Sequence, residues 1–142
     1  MRAVAPDRRP PVAAWGFALI AAIPLFVAWI GFRAGWPGPV RELGTFWAFG
    51  LLGVSAGMIA AAGGLRGRWV PAYLALVLAM LPIMPIWTTH LTAAQAMAAG
   101  HVLMLGLDLW MARVGLLPEW WPRLKLGLTV ITAALLLAPE LG

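Results

Sequence analysis

Cysteine is absent from this 142-residue chain, and charged residues make up only 11% of it. Without cysteine, neither disulfides nor thiolate metal sites can form. A soluble domain carries about 25% charged residues, so a surface with so few charges must meet lipid or other protein. The net charge of +5 does not indicate nucleic-acid binding, because the basic residues stand beside apolar runs rather than in a patch among polar groups.

Signatures of catalysis are also missing. Ser55 is the only serine and stands in the middle of an apolar run, so the chain has no Ser-His-Asp set. No two carboxylates are placed for acid–base work. Gly63 and Gly64 lack the Lys and Ser/Thr that follow in a phosphate-binding loop. The sequence therefore predicts that the protein is not an enzyme.

Long apolar runs dominate what is present. A membrane helix needs about 20 such residues to cross roughly 30 Å of hydrocarbon, and Gly, Pro and charged residues divide the chain into five runs. The sequence thus predicts an all-α, polytopic membrane protein, in which residues 1–142 form a single five-helix domain. Its spans are placed at residues 12–32, 43–65, 69–87, 91–111 and 124–137.

The basic residues fall in alternate gaps between these runs. With a cytoplasmic N-terminus, eight of the ten lie on the cytoplasmic side, namely Arg2, Arg8, Arg9, Arg66, Arg68, Arg113, Arg123 and Lys125. Arg33 and Arg41 lie opposite, and this bias is what the positive-inside rule describes. It predicts a bacterial inner-membrane protein with a periplasmic C-terminus and lipid as its surroundings. Tryptophans near the span ends are typical of an aromatic belt, and they are Trp15, Trp36, Trp69, Trp87, Trp120 and Trp121.

The fourth run contains the ionisable residues that stand within a span, His101 and Asp108, with His90 at its entrance. Spacings of 11 and 7 residues place the three on nearly one helix face, and ionisable residues inside a membrane are candidates for a functional site. The interpretation that we favour is structural: His101 bonds a neighbouring helix, and Asp108 pairs with a basic residue.

Two other interpretations stay open for these residues. Haem or copper ligation would need His101 together with a methionine of another span, and the candidates are Met58, Met80 and Met84. Transport or proton conduction would use Asp108 and His101, yet the other spans contain few polar residues to continue a path. We therefore expect no cofactor.

Two further sets of residues are candidates for packing and anchoring. Gly50, Gly53 and Gly57 give the second run a small-residue face, which favours close helix packing within this chain or, alternatively, docking of another subunit. The gap before the fifth run is interpreted as a bend at the membrane interface, which we call the interfacial elbow. We expect Asp108, at the end of the fourth run, to pair there with Arg113, Arg123 or Lys125. The residues of the elbow are Arg113, Pro118, Trp120, Trp121, Arg123 and Lys125.

The same elbow carries a resemblance to a known family. The segment 117–129 is Leu-Pro-Glu-Trp-Trp-Pro-Arg-Leu-Lys-Leu-Gly-Leu-Thr, and a short basic stretch separates it from Asp108. It resembles the signature of the domain of unknown function 3429, or transmembrane protein 69-like, family of small bacterial and mitochondrial membrane proteins. Trp121 stands for the family's usual Tyr and Lys125 for its Arg. The resemblance implies a five-helix membrane protein without an assigned activity.

These observations lead to one expected function and two alternatives. We expect an accessory or structural subunit that packs against a larger membrane assembly, such as a respiratory or photosynthetic complex. The alternatives are a small redox protein that binds haem or copper through His101 and Met residues, and a small transporter that uses Asp108 and His101.

Overall fold

The computed structural model describes residues 9–37, 39–84 and 90–140 of the chain. Within them it contains no strand, and five α-helices form a bundle: α1 Val12–Arg33, α2 Val40–Gly64, α3 Val70–Met80, α4 Ala93–Arg113 and α5 Trp121–Leu137. A short 3₁₀ helix, Ala138–Glu140, continues α5. The all-helical bundle that the sequence predicts is therefore confirmed.

Two of these helices have the length and apolar character of a membrane span on their own. They are Val12–Arg33, with a mean hydropathy of 2.1, and Glu42–Gly64, with 1.6. In the part of the chain that the structure describes, the other three helices do not meet both criteria. The structure thus shows a helical bundle with two candidate spans.

The third predicted span differs most from the structure. Helix α3 has 11 residues and ends at Met80, so its length is about 16 Å at 1.5 Å per residue. The chain turns at Leu81 and Pro82 because proline cannot continue the hydrogen-bond ladder of a helix. Trp87, the predicted end of this span, lies outside the described residues, as does Pro85.

The starts of α4 and α5 follow from local sequence. Thr92 caps α4: its hydroxyl accepts from the Gln95 backbone at 3.2 Å, and the Gln95 side chain accepts from the Thr92 backbone at 3.1 Å. This reciprocal capping box satisfies two backbone N–H groups. Helix α5 has Pro122 in its first turn, where the missing N–H is not needed. It therefore begins three residues before the predicted position at Leu124.

The helices pack as a closed ring, since each contacts its neighbour in chain order and α5 returns to contact α1. Helix α2 also contacts α4 and α5 and so lies closest to the centre. The core between them is mostly small or flexible side chains, among which Ala48, Leu52, Ile59, Met104 and Met111 are completely buried. Small side chains such as Ala48 let the helices approach closely.

The predicted role of the α2 glycines within the bundle is wrong. Gly50, Gly53 and Gly57 are exposed, and a Cβ added at any of them would meet nothing within 4 Å. The close approach to α1 is made by Gly44 instead, where an added Cβ would lie 3.3 Å from that of Ala28. Gly50, Gly53 and Gly57 form an outward face of α2, which we call the glycine face.

Gly100 of α4 is a second close approach, and it was not predicted from the sequence. A Cβ there would overlap the ring of Pro82 and come within 3.1 Å of Leu52. Only a glycine at position 100 lets the turn after α3 pack against α4 without a shift of one of them.

Candidate functional site

Four side chains from three helices meet in the interior near one end of the bundle, and we call them the polar cluster: Ser55, Asp108, Trp121 and Lys125. Asp108 is fully buried and Lys125 is 4% exposed. The Trp121 indole N–H donates to Asp108 Oδ1 at 2.8 Å. Lys125 Nζ donates to the Ser55 hydroxyl and lies 3.9 Å from Asp108 Oδ2. The two opposite charges therefore compensate each other away from water.

The spacing of residues on α5 explains why the cluster forms. Trp121 and Lys125 are four residues apart and so point the same way from a helix. Because α5 begins at Trp121 rather than after Pro122, both side chains are helical and face α4 together. Ser55 meets them from α2, where its hydroxyl also donates to the Leu51 carbonyl at 2.9 Å. Of the three basic partners predicted for Asp108, the structure places Lys125 beside it.

Lys125 is accordingly not an interfacial residue, which corrects its place in the predicted elbow. The neighbouring Arg123 is exposed, as are Arg113 and Pro118, so these three stay at the surface of the bundle. Trp120 and Trp121 are half-buried, with ring centroids 5.9 Å apart. The segment thus divides into an exposed basic part and two residues, Trp121 and Lys125, that reach inward.

Three buried polar atoms in the described residues have no hydrogen-bond partner: Asp108 Oδ2, Thr129 Oγ1 and Thr132 Oγ1. The two threonines continue the face of α5 that carries Lys125, one and two turns farther on. Leaving such groups unsatisfied costs about 1–3 kcal/mol each. They extend the polar cluster along α5, a helix that is expected from its sequence to contain few polar residues.

His101 lies two turns before Asp108 on the same face of α4, about 10 Å away along the helix axis. It is 1% exposed, and its Nε2 is 3.0 Å from the Ala48 carbonyl of α2. A carbonyl oxygen only accepts hydrogen bonds, so Nε2 carries the proton and donates it. This contact agrees with the structural interpretation, in which His101 bonds a neighbouring helix. His90 lies outside α4 and is exposed.

The geometry does not favour haem or copper at His101. Its Nε2 is already used as a donor, and the three candidate methionine ligands, Met58, Met80 and Met84, are 40%, 51% and 65% exposed on the outside of the bundle. Among the described residues, no three His, Asp or Glu side chains come together as a metal site would require. These residues do not fit either group.

Arg66 connects the two basic loops that follow α2 and α4. Its guanidinium donates to the carbonyl of Gly115. Each loop turns at a glycine with a positive φ, Gly67 at 65° and Gly115 at 73°, a conformation in which other residues are strained. The two loops therefore lie at the same end of the bundle, as the alternation of charge in the sequence requires.

In comparisons with protein-family models, curated proteins and solved structures, no significant match to the chain was found. The fold and the polar cluster define the class of protein. It is an all-helical bundle with a buried Asp–Lys pair, and two of its helices have the length and apolar character of a membrane span.

Proposed function

We propose that the chain is a five-span integral membrane protein that serves as an accessory, non-catalytic subunit of a larger membrane assembly. A respiratory or photosynthetic complex is the host that we favour. The resemblance to the transmembrane protein 69-like family stays part of this proposal and agrees with it in architecture. Lipid and other membrane subunits are then its partners.

Membrane placement is supported by the outer surface of the bundle. Large apolar side chains are exposed on several helices, among them Ile20 at 68%, Phe46 at 74% and Val70 at 67%. An apolar surface this extensive is unfavourable in water and suits lipid or a partner protein. The shared end of the two basic loops supports a bacterial inner-membrane orientation with this end, and the N-terminus, in the cytoplasm.

The absence of cysteine makes this orientation easy to test. Single cysteines at Trp36 and at Arg68, both exposed positions, are reacted with a membrane-impermeant maleimide on intact spheroplasts. We expect labelling at position 36 and none at position 68 until the membrane is opened. Labelling at both positions from outside would contradict the proposed topology.

The glycine face is the observation on which the accessory role depends. Glycines are favoured where two membrane helices approach closely, yet at Gly50, Gly53 and Gly57 an added Cβ would meet nothing within 4 Å among the described residues. Open glycines on an otherwise bulky surface suit close contact with a helix of another subunit.

The test is co-purification of tagged protein from its native membrane. Gly53→Leu and Gly57→Leu are expected to lose a partner that the wild-type protein retains. Gly106→Leu is the matched control, because Gly106 is also exposed on a helix with nothing within 4 Å of its Cβ position. Wild-type protein that purifies only as a monomer, or equal loss in all three variants, would contradict the accessory role.

Proton conduction or small-ion transport is a second candidate, and the unpartnered atoms of Asp108, Thr129 and Thr132 favour it. Ionisable groups inside a membrane bundle are typical of proton relays, and the two threonines of α5 continue the polar row from Asp108 of α4. When the outside pH is lowered, the interior of proteoliposomes that contain a trapped pH dye is expected to acidify faster than the interior of vesicles without protein. The Asp108→Asn variant is expected to abolish this difference in rate. Equal rates with and without protein would exclude this candidate.

A further inference from the structure

Two tight turns carry arginines at one end of the bundle. In the turn after α2, the backbone N–H of Arg68 donates to the Gly63 carbonyl at 2.8 Å, and a Cβ at Gly63 would overlap the Arg68 carbonyl. This turn therefore packs directly on the end of α2. The turn after α4 is closed by a bond of 2.9 Å from the Leu116 N–H to the Met111 carbonyl. The backbone thus fixes where the basic side chains of both turns begin.

The bond from the Arg66 guanidinium to the Gly115 carbonyl joins the two turns and brings their arginines together. Arg68 is two residues from Arg66, and Arg113 is two residues from Gly115, so each lies within about 7 Å of the joined residues along the chain. A guanidinium has five N–H groups, and the bond to Gly115 leaves most of those of Arg66 for another acceptor. Arg66, Arg68 and Arg113 are all exposed, so a ligand can reach them together.

The positive charge at this end is only partly balanced within the two loops. Arg123, which is exposed in the first turn of α5, adds a fourth positive charge. Glu119 is the one carboxylate in the two loops, because Asp108 belongs to α4 and lies beside Lys125 in the interior. Glu119 balances at most one of the four arginines. At least three positive charges therefore favour an anion from outside the loops.

Apolar side chains beside the arginines restrict the source of this anion. Leu65 is 90% exposed and Trp69 is 60% exposed, and they flank Arg66 and Arg68 in the same turn. Tryptophan and arginine side by side are typical of the head-group region of a membrane, where the ring lies at the interface and the guanidinium reaches phosphate. A soluble phosphate compound would leave Leu65 and Trp69 in water, whereas a phospholipid covers them with its own chains.

We propose that this end of the bundle binds the phosphodiester of an anionic phospholipid in the cytoplasmic leaflet, held by the guanidinium groups of Arg66, Arg68 and Arg113. A planar guanidinium donates two parallel hydrogen bonds to phosphate oxygens. A zwitterionic lipid brings its own cation and so leaves the arginines uncompensated, which is why the head group is anionic. The inference depends on the membrane placement proposed above and not on the accessory role.

The test is native mass spectrometry of full-length protein, purified from the membrane fraction in dodecyl maltoside. The protein is titrated with dioleoyl phosphatidylglycerol or with dioleoyl phosphatidylcholine, which have the same chains. We expect the anionic lipid to bind at least about tenfold more tightly. Because arginines of cytoplasmic loops also direct orientation in a membrane, binding is measured in detergent, where orientation has no effect.

Substitutions then locate the lipid. Each arginine near an anionic head group contributes about fivefold to affinity, so Arg68→Gln should weaken phosphatidylglycerol binding about fivefold and the double variant Arg68→Gln with Arg113→Gln about 25-fold. Arg33→Gln is the matched control and should leave the affinity unchanged. Arg33 is also an exposed arginine in the last turn of a helix, but it lies at the other end of the bundle, beside the start of α2.

Equal affinity of the wild-type protein for the two lipids would overturn the proposal, and so would an equal loss in Arg33→Gln and in the double variant. Glycerophosphoglycerol, the same head group without chains, distinguishes a lipid from a soluble phosphate compound. We expect it to leave the bound lipid in place, and displacement by it or by inorganic phosphate at the concentration of the lipid would overturn the proposal. Tighter binding of a single-stranded RNA oligonucleotide would do the same. Protein that is absent from the membrane fraction would refute the membrane placement itself, a result distinct from equal binding of the two lipids.

Discussion

Replacing Lys125 with methionine removes one member of the buried ion pair and leaves Asp108 without a compensating charge. Two unit charges 3.9 Å apart attract each other by about 4 kcal/mol at an effective dielectric constant of about 20. Truncating one partner of a buried pair typically costs about 3–5 kcal/mol. We therefore expect Lys125→Met to lower the free energy of unfolding by about that amount.

The pairing itself is measured by a double-mutant cycle with Asp108→Asn. Replacing both members of a buried pair with neutral groups costs much less stability than removing one member. The double variant should therefore be about 2–4 kcal/mol more stable than the sum of the two single effects predicts. Unfolding in mixed detergent micelles, followed by far-ultraviolet circular dichroism, supplies the three differences.

Arg123→Met is the matched control for this cycle, since Arg123 is two residues away and exposed. Its effect should stay within about 0.5 kcal/mol. If the two single effects of Lys125→Met and Asp108→Asn simply add in the double variant, the two charges do not interact and the cluster is not held by them.

Three further substitutions are expected to separate packing, hydrogen bonding and capping in the same unfolding assay. Gly100→Ala should cost about 1–3 kcal/mol of stability, because the new Cβ overlaps the proline ring in the turn after α3. Gly106→Ala, with open space around it, should be neutral or stabilising by up to about 1 kcal/mol. Equal effects of the two substitutions would contradict the close packing. His101→Phe should cost about 1 kcal/mol through the lost bond to α2, while exposed His90→Ala should stay within about 0.5 kcal/mol, and a larger loss at His90 would reverse this assignment. Thr92→Ala should lower stability by about 1 kcal/mol through the lost cap, and no change would mean that the capping box contributes nothing.

Both bounds of α1 and the end of α2 were predictable to within one residue, because long apolar runs end at clear breaks. The starts of α2 and α5 each lie three residues before the predicted position. At α5 the reason is that Pro122 looks like a break in the apolar run. A proline in the first helical turn is compatible with the helix, and this shift of three residues decides that Trp121 belongs to it.

Part of the polar cluster was visible in the sequence as a pattern. Trp121, Lys125, Thr129 and Thr132 follow one another at intervals of four, four and three residues, which places them on one helix face. Placing Lys125 in the interfacial elbow, rather than on a helix face, hid this pattern. Ser55 was not predictable as its partner, because only the packing of α2 against α5 brings the two together.

The choice between the two small-residue pairs of α2 also needed the structure. Gly44 and Ala48 have the same spacing of four residues as Gly53 and Gly57, and both pairs are compatible with close packing. The rotation of α2 about its axis decides which pair faces inward, and contacts with all the other helices set that rotation. A sequence pattern along one helix does not contain this information.

In the proposed five-span placement, the ion pair between α4 and α5 has a consequence for how the chain would enter the membrane during synthesis. An Asp or a Lys within a single helix opposes its transfer into lipid, by up to about 2.5–3.5 kcal/mol when it stands at the helix centre. Asp108 and Lys125 belong to consecutive helices, so these two segments leave the insertion machinery most favourably as a hairpin, with the opposite charges already together. Biogenesis would then couple the last two segments into a single step, and α4 alone, truncated after Arg113, would be held back.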